Sequence, residues 1–376
     1  MASKKILFIW GRHYIGKLYT MPFGLNVLYY LLEDGYEVEI DLLENYSEKY
    51  HEILRTKPRI NFIGNLLSIR YLKVKYWRIK LRYLLKYNYE NIIAVGHMGA
   101  IAANCIPGKN KNIAYFNDEF PSIFNDKFIA TKEIALIKRA SIIALPDLGR
   151  LEGLIDDINF NISSEEVVEF INAPCWIDKK DIPNIDWHVR LGINKIKKIV
   201  LFSGGLASSN QVIEMITSVK LWADDFVLVM NSNNLKSLQD FKSKVPHLNI
   251  QDKIIWLEED LTEVEFHSLI ASSFCNICLY SNVSPNLYTV GKSSGKAMRS
   301  ILLGVPVICT DFPSFDFIKI NNLGICISHP LELAGALDKL NKNSKIFIAN
   351  CNEYSTNQMD TFQEYTVFKT KFLINT

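Results

Sequence analysis

Short apolar runs alternate with longer mixed stretches along most of the chain. In the first half the apolar runs predict strands, and the stretches between them predict helices. The predicted strands are Lys5–Trp10, Tyr36–Leu42, Asn91–Val95, Asn112–Phe116, Ser141–Leu145 and Val167–Ile171, and the helices are Phe23–Glu33, Ala100–Cys105 and Lys132–Arg139. Because strands this short and apolar are typical of parallel sheets covered on both faces, the alternation indicates an α/β domain.

The pattern restarts after a polar linker at Asp178–Asn194. The predicted elements of the second half are the strands Lys198–Phe202, Phe226–Met230, Ile254–Trp256, Ile277–Tyr280 and Val305–Thr310, with a helix at Gln211–Trp222. We therefore expect an α/β fold of two Rossmann-like domains, residues 1–180 and 195–345, that face a ligand-binding cleft. A tail at 346–376 follows, in which Asn357–Phe372 is predicted to form a helix that packs back on the first domain.

The composition excludes some classes of function but does not identify the function. The 376 residues suffice for two cores, and 42 basic against 40 acidic residues leave no global field that would attract nucleic acid. No segment offers about eighteen uninterrupted apolar residues, and the start of the chain lacks a secretory pattern. We expect a cytoplasmic protein whose membrane contact, if any, is peripheral and at the inner face.

The cysteines indicate buried thiols. Most of the seven lie inside apolar runs, as expected in a reducing compartment. Cys275 and Cys278 form a CxxC pair, but they lie in a strand-like run and have no second pair. The sequence therefore predicts neither a zinc site nor a redox site there.

The stretch Lys292–Asp311 carries the strongest chemical signal. It predicts a polar turn of Ser293, Ser294, Gly295 and Lys296, then a helix, a glycine stop and a buried strand. A helix start presents free backbone N–H groups and the positive end of the helix dipole, so with a lysine it favours an anion such as a diphosphate. An ordinary capped crossover helix shows the same start and stop signals, and that alternative stays open.

A second glycine-containing loop follows the first strand of the second half. Gly204 and Gly205 have no side chains, so backbone can approach a phosphate closely there, although a plain tight turn fits equally well. Arg12 and His13, after the first strand of the chain, are weaker candidates for contacts to phosphate or acceptor.

Two carboxylates follow the strand that ends at Phe116. Asp118 or Glu119 would serve as a general base if partial burial raised its pKa. Adjacent side chains on extended backbone point opposite ways, so only one faces a ligand, and we favour Asp118. The alternative is that Asp118 caps the turn before Pro121.

One segment carries a local excess of positive charge, although the chain as a whole is nearly neutral. From Arg70 to Lys86 the sequence RYLKVKYWRIKLRYLLK contains seven basic residues, no acid and four aromatics, including Lys73, Trp77 and Arg78. On a helix this composition favours an anionic bilayer surface. Nucleic acid is weakly supported by one basic helix, and a solvated helix packed on the first sheet remains the alternative.

The order of these features resembles that of GT-B glycosyltransferases over nearly the whole chain. The matching pieces, in order, are FNDEFPS, NAPCW, FSGG, WLEED and SSGKAMRSILLGVPVI. The resemblance implies transfer of a sugar from a nucleotide-sugar donor, UDP- or GDP-linked, to a glycan or lipid-linked acceptor in bacterial surface polysaccharide synthesis. It implies no metal and no further cofactor, and it places the donor on the second domain.

The same resemblance suggests roles for further residues. His97, between Gly96 and Gly99, occupies the place of a histidine that touches the transferred sugar in retaining GT-B enzymes. Glu258 and Glu259 follow a strand end where such enzymes hold the base and ribose of the nucleotide.

The chain departs from the common family-4 pattern in two places. Aligned on the GVPV segment, Gly291 and Arg299 stand where family-4 enzymes have two glutamates. Leu206 and Ala207 replace the Arg or Lys that usually follows the glycine loop. The SSxK form is similar to that of the glucuronosyltransferase of xanthan assembly, in which an aspartate placed near Asp118 is the base. The loss of the glutamate pair, together with Asp118, tips the expectation mildly toward an inverting enzyme.

Two rival functions remain open from the sequence. A UDP-sugar 2-epimerase shares the two-domain fold and also binds its diphosphate at a Ser/Gly helix start. A non-catalytic nucleotide-sugar binding subunit would explain the changed motif at Gly291 and Arg299. A dinucleotide dehydrogenase is disfavoured, since no GxGxxG follows Trp10.

Overall fold

A computed structural model gives the fold of most of the chain. The residues it describes are 5–11, 21–42, 59–62, 89–106, 112–117, 119–123, 126–175, 177, 179–232, 234–243, 245 and 251–374. None of the helices in these ranges combines the length and the apolar character needed to cross a membrane.

The strands form two sheets. The first sheet contains β1 (Lys5–Trp10), β2 (Glu37–Leu42), β3 (Arg59–Phe62), β4 (Asn91–Val95), β5 (Asn112–Phe116), β6 (Ile142–Leu145) and β7 (Val167–Glu169). The second contains β8 (Lys198–Ser203), β9 (Phe226–Asn231), β10 (Ile254–Leu257), β11 (Cys275–Cys278), β12 (Val307–Thr310) and β13 (Gly324–Ile327).

The described helices lie between strands or follow the last one. They are α1 (Pro22–Glu33), α2 (Gly96–Ala103), α3 (Lys127–Ile137), α4 (Leu151–Ile158), α5 (Trp187–Arg190), α6 (Val212–Ser218), α7 (Leu235–Lys242), α8 (Glu263–Ala271), α9 (Pro285–Tyr288), α10 (Gly295–Leu302), α11 (Asp316–Ile320), α12 (Leu333–Lys342), α13 (Ser344–Gln358) and α14 (Thr361–Lys369). A π-helical turn, Thr370–Ile374, continues α14.

Both sheets are parallel and have a Rossmann-like strand order. The first runs β3-β2-β1-β4-β5-β6-β7 and the second β10-β9-β8-β11-β12-β13. The order reverses between β1 and β4 in one sheet and between β8 and β11 in the other. Ligands of such sheets bind beyond the carboxyl ends of the strands that flank the reversal.

Each sheet is buried on both faces because successive side chains of a strand point to opposite sides. In β1, Phe8 joins the core on one face and Leu7 the core on the other. In β8, Phe202 and Leu201 divide in the same way. The prediction of two parallel α/β sheets is confirmed.

Contacts divide the chain into two compact units, Met1–Trp176 with Thr361–Thr376, and Ile177–Asp360. The end of the chain is held in the first unit by α14. Tyr365 donates a hydrogen bond of 2.6 Å to Asp34, and Phe368 packs edge-on against Phe116. The helix α13 belongs to the second unit, whereas we expected the tail from residue 346 onward to pack on the first.

Three local predictions differ from the structure. The predicted helix Ala100–Cys105 begins four residues earlier, at Gly96 of α2, and Met98 N–H in its first turn bonds to the carbonyl of Gly11. The expected polar linker contains α5, whose Trp187 is buried and donates to Ser268. The polar tail contains α13 in addition to the predicted last helix.

Candidate functional site

The start of α10 follows the predicted turn–helix–stop–strand order. Ser294 is the N-cap residue, and its hydroxyl accepts from Ala297 N–H at 3.3 Å. At the other end, Gly304 has a φ of +77°, and a Cβ there would lie 2.5 Å from Asn352 Oδ1. Both the polar start and the glycine stop of the sequence therefore have a local physical cause.

The first turn of α10 leaves two backbone donors without acceptors. Ser294 N–H bonds to Gly291 and Met298 N–H to Ser294, while Ala297 N–H is satisfied by the cap. Among the described residues, no acceptor is bonded to the N–H groups of Gly295 and Lys296. These two donors lie at the positive end of the helix dipole, where an anion is favoured.

The Lys296 ammonium lies against two aromatic rings. Its Nζ atom is 4.5 Å from the ring centroid of Tyr280 and 5.2 Å from that of Phe202. No carboxylate in the described part of the chain forms an ion pair with it. Burial lowers the pKa of Lys296, while the nearby thiols of Cys278 and Cys309 act in the opposite direction only if they ionise. The pKa of Cys309 is itself raised by burial, so that thiol stays neutral at pH 7.

The glycine loop after β8 lies beside this lysine. Gly204 has a φ of +132°, and a Cβ built on it would be 3.4 Å from Lys296 Cδ. Its own N–H bonds to the carbonyl of Asn231, so it is not a free phosphate donor. Gly205 accepts from Asn210 Nδ2 through its carbonyl. The structure thus brings the predicted glycine loop and the predicted lysine together.

A buried hydroxyl without a partner stands next to the glycine loop. Ser203, the last residue of β8, is 3% exposed, and its Oγ atom has no hydrogen-bond partner. Buried polar groups are normally satisfied, so this hydroxyl is able to bond to a ligand held at the strand end. Ser203 was not selected from the sequence, although its position directly before Gly204 was a usable signal.

Tyr280 is a further residue that was not recognised from the sequence. Its hydroxyl lies 2.8 Å from Ser294 Oγ, and its ring faces Lys296. Its carbonyl accepts from Gln211 Nε2, while Thr310 bonds to both its N–H and its carbonyl. It follows β11, so the strands on both sides of the order reversal contribute to the site.

Ser293, predicted with Ser294 as a diphosphate contact, directs its hydroxyl to the carbonyl of Val290. This bond lies within the turn that precedes the helix, so the hydroxyl of Ser293 donates to backbone there.

The residues at the two family-4 glutamate positions have structural roles. Gly291 is buried in the turn before Ser294. Arg299 is 7% exposed and forms an ion pair with Glu263 of α8, with His267 at 3.5 Å. Burial, with a smaller contribution from the charge of Arg299, lowers the pKa of His267 to about 3. Arg299 thus fixes α10 to α8.

In the first unit, His97 is 6% exposed within α2. Glu119 is half-buried, and its carbonyl accepts from Asn117 Nδ2. The same amide group bonds to Glu133, a carboxylate that is 1% exposed and also accepts from Tyr115. This network fixes the backbone of the loop that follows β5.

The two predicted nucleotide contacts of the second unit both have cationic partners. Glu258 pairs with Lys242, whose hydrogen bond lowers the pKa of Glu258. Glu259 pairs with Arg190. A ribose would have to compete with these ion pairs for the carboxylates.

Arg12, His13, Asp118 and the basic segment with Arg70, Lys73, Trp77 and Arg78 lie outside the described residues. Within those that are described, no group of three or more histidine, cysteine, aspartate or glutamate side chains is arranged to hold a metal ion.

No protein-family model and no curated protein sequence matches the chain. Several solved structures, however, are similar to the chain. HepE from Anabaena, crystallised with UDP-glucose, superposes with a TM-score of 0.71 at 13% identity, covering 97% of this chain and 98% of that one.

Two further structures are similar at the same low level of identity. WaaG, a glycosyltransferase of lipopolysaccharide biosynthesis, gives a TM-score of 0.66 at 13% identity, with 98% and 100% coverage. A Listeria monocytogenes protein proposed to be a UDP-N-acetylglucosamine 2-epimerase gives 0.66 at 14% identity, with 99% and 97% coverage. The chain therefore has the GT-B fold, a pair of Rossmann-like domains.

Proposed function

We propose that this protein is a glycosyltransferase that takes a sugar from a nucleotide-sugar donor, whose diphosphate binds at the start of α10. The observation that carries the proposal is the ammonium of the half-buried residue Lys296, which has no anionic partner among the described residues. It stands beside the free N–H groups of Gly295 and Lys296 and close to the strand-order reversal of the second sheet.

A diphosphate satisfies each of these groups. Its charge complements the ammonium and the helix dipole, and its oxygens accept from the two N–H groups. Stabilising the departing diphosphate is the main demand of glycosyl transfer, and one donor to a developing anion is worth about 3 kcal/mol in comparable sites. Lys296 and the helix start supply this stabilisation without a metal ion.

The similar structures support the donor class. HepE was crystallised with UDP-glucose and with UDP, which favours a UDP-linked sugar over a GDP-linked one. WaaG acts in lipopolysaccharide biosynthesis, which supports a glycan or lipid-linked acceptor in bacterial surface polysaccharide synthesis. We assign the acceptor to the first unit, with Asp118 as the base of an inverting reaction, Glu119 as the alternative base and His97 as a contact to the transferred sugar. The basic segment Arg70–Lys86 would hold this cytoplasmic protein at an anionic membrane surface.

Calorimetric titration with UDP, GDP, ADP and dTDP tests the donor site. We expect one of them to bind the wild type, and Lys296→Ala to weaken that binding at least 10-fold. Lys339→Ala, which removes an exposed lysine of the same unit, is the matched control and should bind as the wild type does. Equal affinity in the wild type and Lys296→Ala would refute the assignment.

The epimerase remains a second candidate because the Listeria protein shares the fold over the whole chain. Incubation of the enzyme with UDP-N-acetylglucosamine and no acceptor separates the two. We expect no 2-epimer by NMR, and its formation would replace the transferase assignment.

A further inference from the structure

Tyr280 touches both parts of the proposed diphosphate site. Its hydroxyl is 2.8 Å from the Oγ atom of the N-cap residue Ser294. The face of its ring lies 4.5 Å from the Nζ atom of Lys296. A single side chain therefore contacts the cap of α10 and the ammonium two residues later.

The tyrosine itself is held firmly. It is 7% exposed, its ring stacks on Phe315, and its backbone N–H and carbonyl both bond to Thr310. Gln211, the residue before α6, donates to the same carbonyl. Because both its ring and its backbone are held, Tyr280 is a rigid platform for a flexible lysine side chain.

Lys296 needs such a platform because a lysine side chain has many rotamers. Ordering it costs up to about 2 kcal/mol of conformational entropy, which a preformed site does not spend when a ligand binds. An aromatic face within about 6 Å attracts an ammonium by about 0.5–2 kcal/mol, most strongly where water is excluded. Unlike a carboxylate, it leaves the full positive charge available to a bound anion.

We propose that Tyr280 is a positioning residue that holds the Lys296 ammonium and the Ser294 cap in the geometry that binds a nucleoside diphosphate. The inference rests on the proposed function. In this arrangement the ring of Tyr280 places the ammonium next to Gly204, and its hydroxyl orients Ser294 so that the free N–H groups of α10 face the same anion.

Among the described residues, three groups that titrate lie around Lys296. Strands β11 and β12 present the thiols of Cys278 and Cys309, and Tyr280 presents its phenol. No described carboxylate offsets the ammonium. A bound diphosphate therefore supplies the negative charge that the site lacks, and it favours the protonated lysine.

Two substitutions separate the ring of Tyr280 from its hydroxyl. Tyr280→Leu removes the aromatic face, whereas Tyr280→Phe keeps it. UDP and uridine are the probes, measured by calorimetry and by ligand-observed NMR. We expect Tyr280→Leu to raise the dissociation constant of UDP about 10–30-fold and Tyr280→Phe about 2–5-fold, since the ring carries most of the attraction. Both should bind uridine within about 2-fold of the wild type.

Tyr354→Leu, a partly exposed tyrosine of α13, is the matched control and should leave UDP binding unchanged. The pH profile gives a second readout. UDP affinity of the wild type should fall with rising pH as Lys296 deprotonates, and Tyr280→Leu should move the midpoint while Tyr354→Leu does not.

The outcomes are distinct. Equal loss of UDP and uridine in Tyr280→Leu would mean that Tyr280 only supports the fold, and unchanged UDP affinity would mean that it does not position the lysine; either overturns the inference. A wild type that binds none of the four nucleoside diphosphates would instead overturn the proposed function, and this inference with it.

Discussion

Gly204 lies directly beside the side chain of Lys296, so that a Cβ atom on Gly204 would be 3.4 Å from Lys296 Cδ and 3.8 Å from its Nζ atom. The distances are ordinary contacts, but the φ of Gly204 is +132°, which residues with a side chain rarely adopt. The glycine is therefore required by its backbone conformation more than by space.

Gly204→Ala should accordingly cost about 1–3 kcal/mol of stability in backbone strain. Relief of that strain would shift the loop away from Lys296 and weaken UDP binding. Thermal unfolding with and without UDP measures both effects.

Gly335→Ala is the control for Gly204→Ala. Gly335 lies in helix α12, and no atom comes within 4 Å of the position that a Cβ would take, so alanine there should stabilise slightly. If both variants change stability alike, the strain at Gly204 does not exist.

Arg299 and Glu263 form a buried ion pair, so replacing Arg299 by the glutamate that family-4 enzymes have at this position should destabilise the protein. Arg299→Glu would place two carboxylates together where the side chains are only 8% and 12% exposed. We expect a loss of about 3–5 kcal/mol of unfolding free energy, measured by urea denaturation.

Replacing both partners tests the same pair from the other side. Arg299→Leu leaves Glu263 unpaired, whereas the double variant with Glu263→Leu removes both charges. The double variant should be the more stable of the two, and the reverse order would contradict a buried ion pair.

Because His267 is buried, we expect the free energy of unfolding to decrease at acid pH. Burial lowers its pKa to about 3, while the unfolded chain has a pKa near 6.5. Between these values the unfolded state binds the extra proton, so stability falls as pH falls below about 6.5. The loss at pH 5 should be about 2 kcal/mol.

His267→Gln should flatten the stability curve between pH 7 and pH 4, as measured by urea denaturation at each pH. His329→Asn, at an exposed histidine, is the control and should keep the wild-type slope. An unchanged slope in His267→Gln would show that this histidine does not cause the acid dependence.

Asp34 anchors the end of the chain in the first unit. Burial alone would raise its pKa, but hydrogen bonds from Lys369 and Tyr365 outweigh that effect and lower it. The anchor is therefore present above about pH 4 and is lost as the pH falls further and the carboxylate is protonated.

Asp34→Asn should destabilise α14 by about 1 kcal/mol and speed amide exchange in Thr361–Lys369 at neutral pH. Asp338→Asn, at an exposed aspartate of α12, should leave that exchange unchanged. Equal exchange in both variants would argue against the anchor.

Much of the fold was predictable because its causes are local. The strands Lys5–Trp10, Asn91–Val95 and Asn112–Phe116 were predicted at their observed bounds, since each is an apolar run with a polar boundary. The edge strands Arg59–Phe62 and Gly324–Ile327 were not predicted, because polar Arg59 and Asn61 alternate with the apolar residues of the first and a glycine begins the second.

The candidate site was only partly predictable. Its polar start, Ser294 to Lys296, follows from helix capping, which a few neighbouring residues decide. Ser203 and Tyr280 look like ordinary strand ends in the sequence. Nothing in the sequence around Arg299 indicates that it pairs with Glu263, 36 residues away.

The sequence by itself therefore determined two parallel α/β sheets and a helix start suited to an anion, because alternation, caps and glycine stops act over a few residues. Only the tertiary structure decided what surrounds that helix start. The rings of Phe202 and Tyr280 and the backbone of Gly204 meet Lys296 because strand pairing aligns β8 with β11. Contacts between residues this far apart depend on packing, which no local pattern specifies.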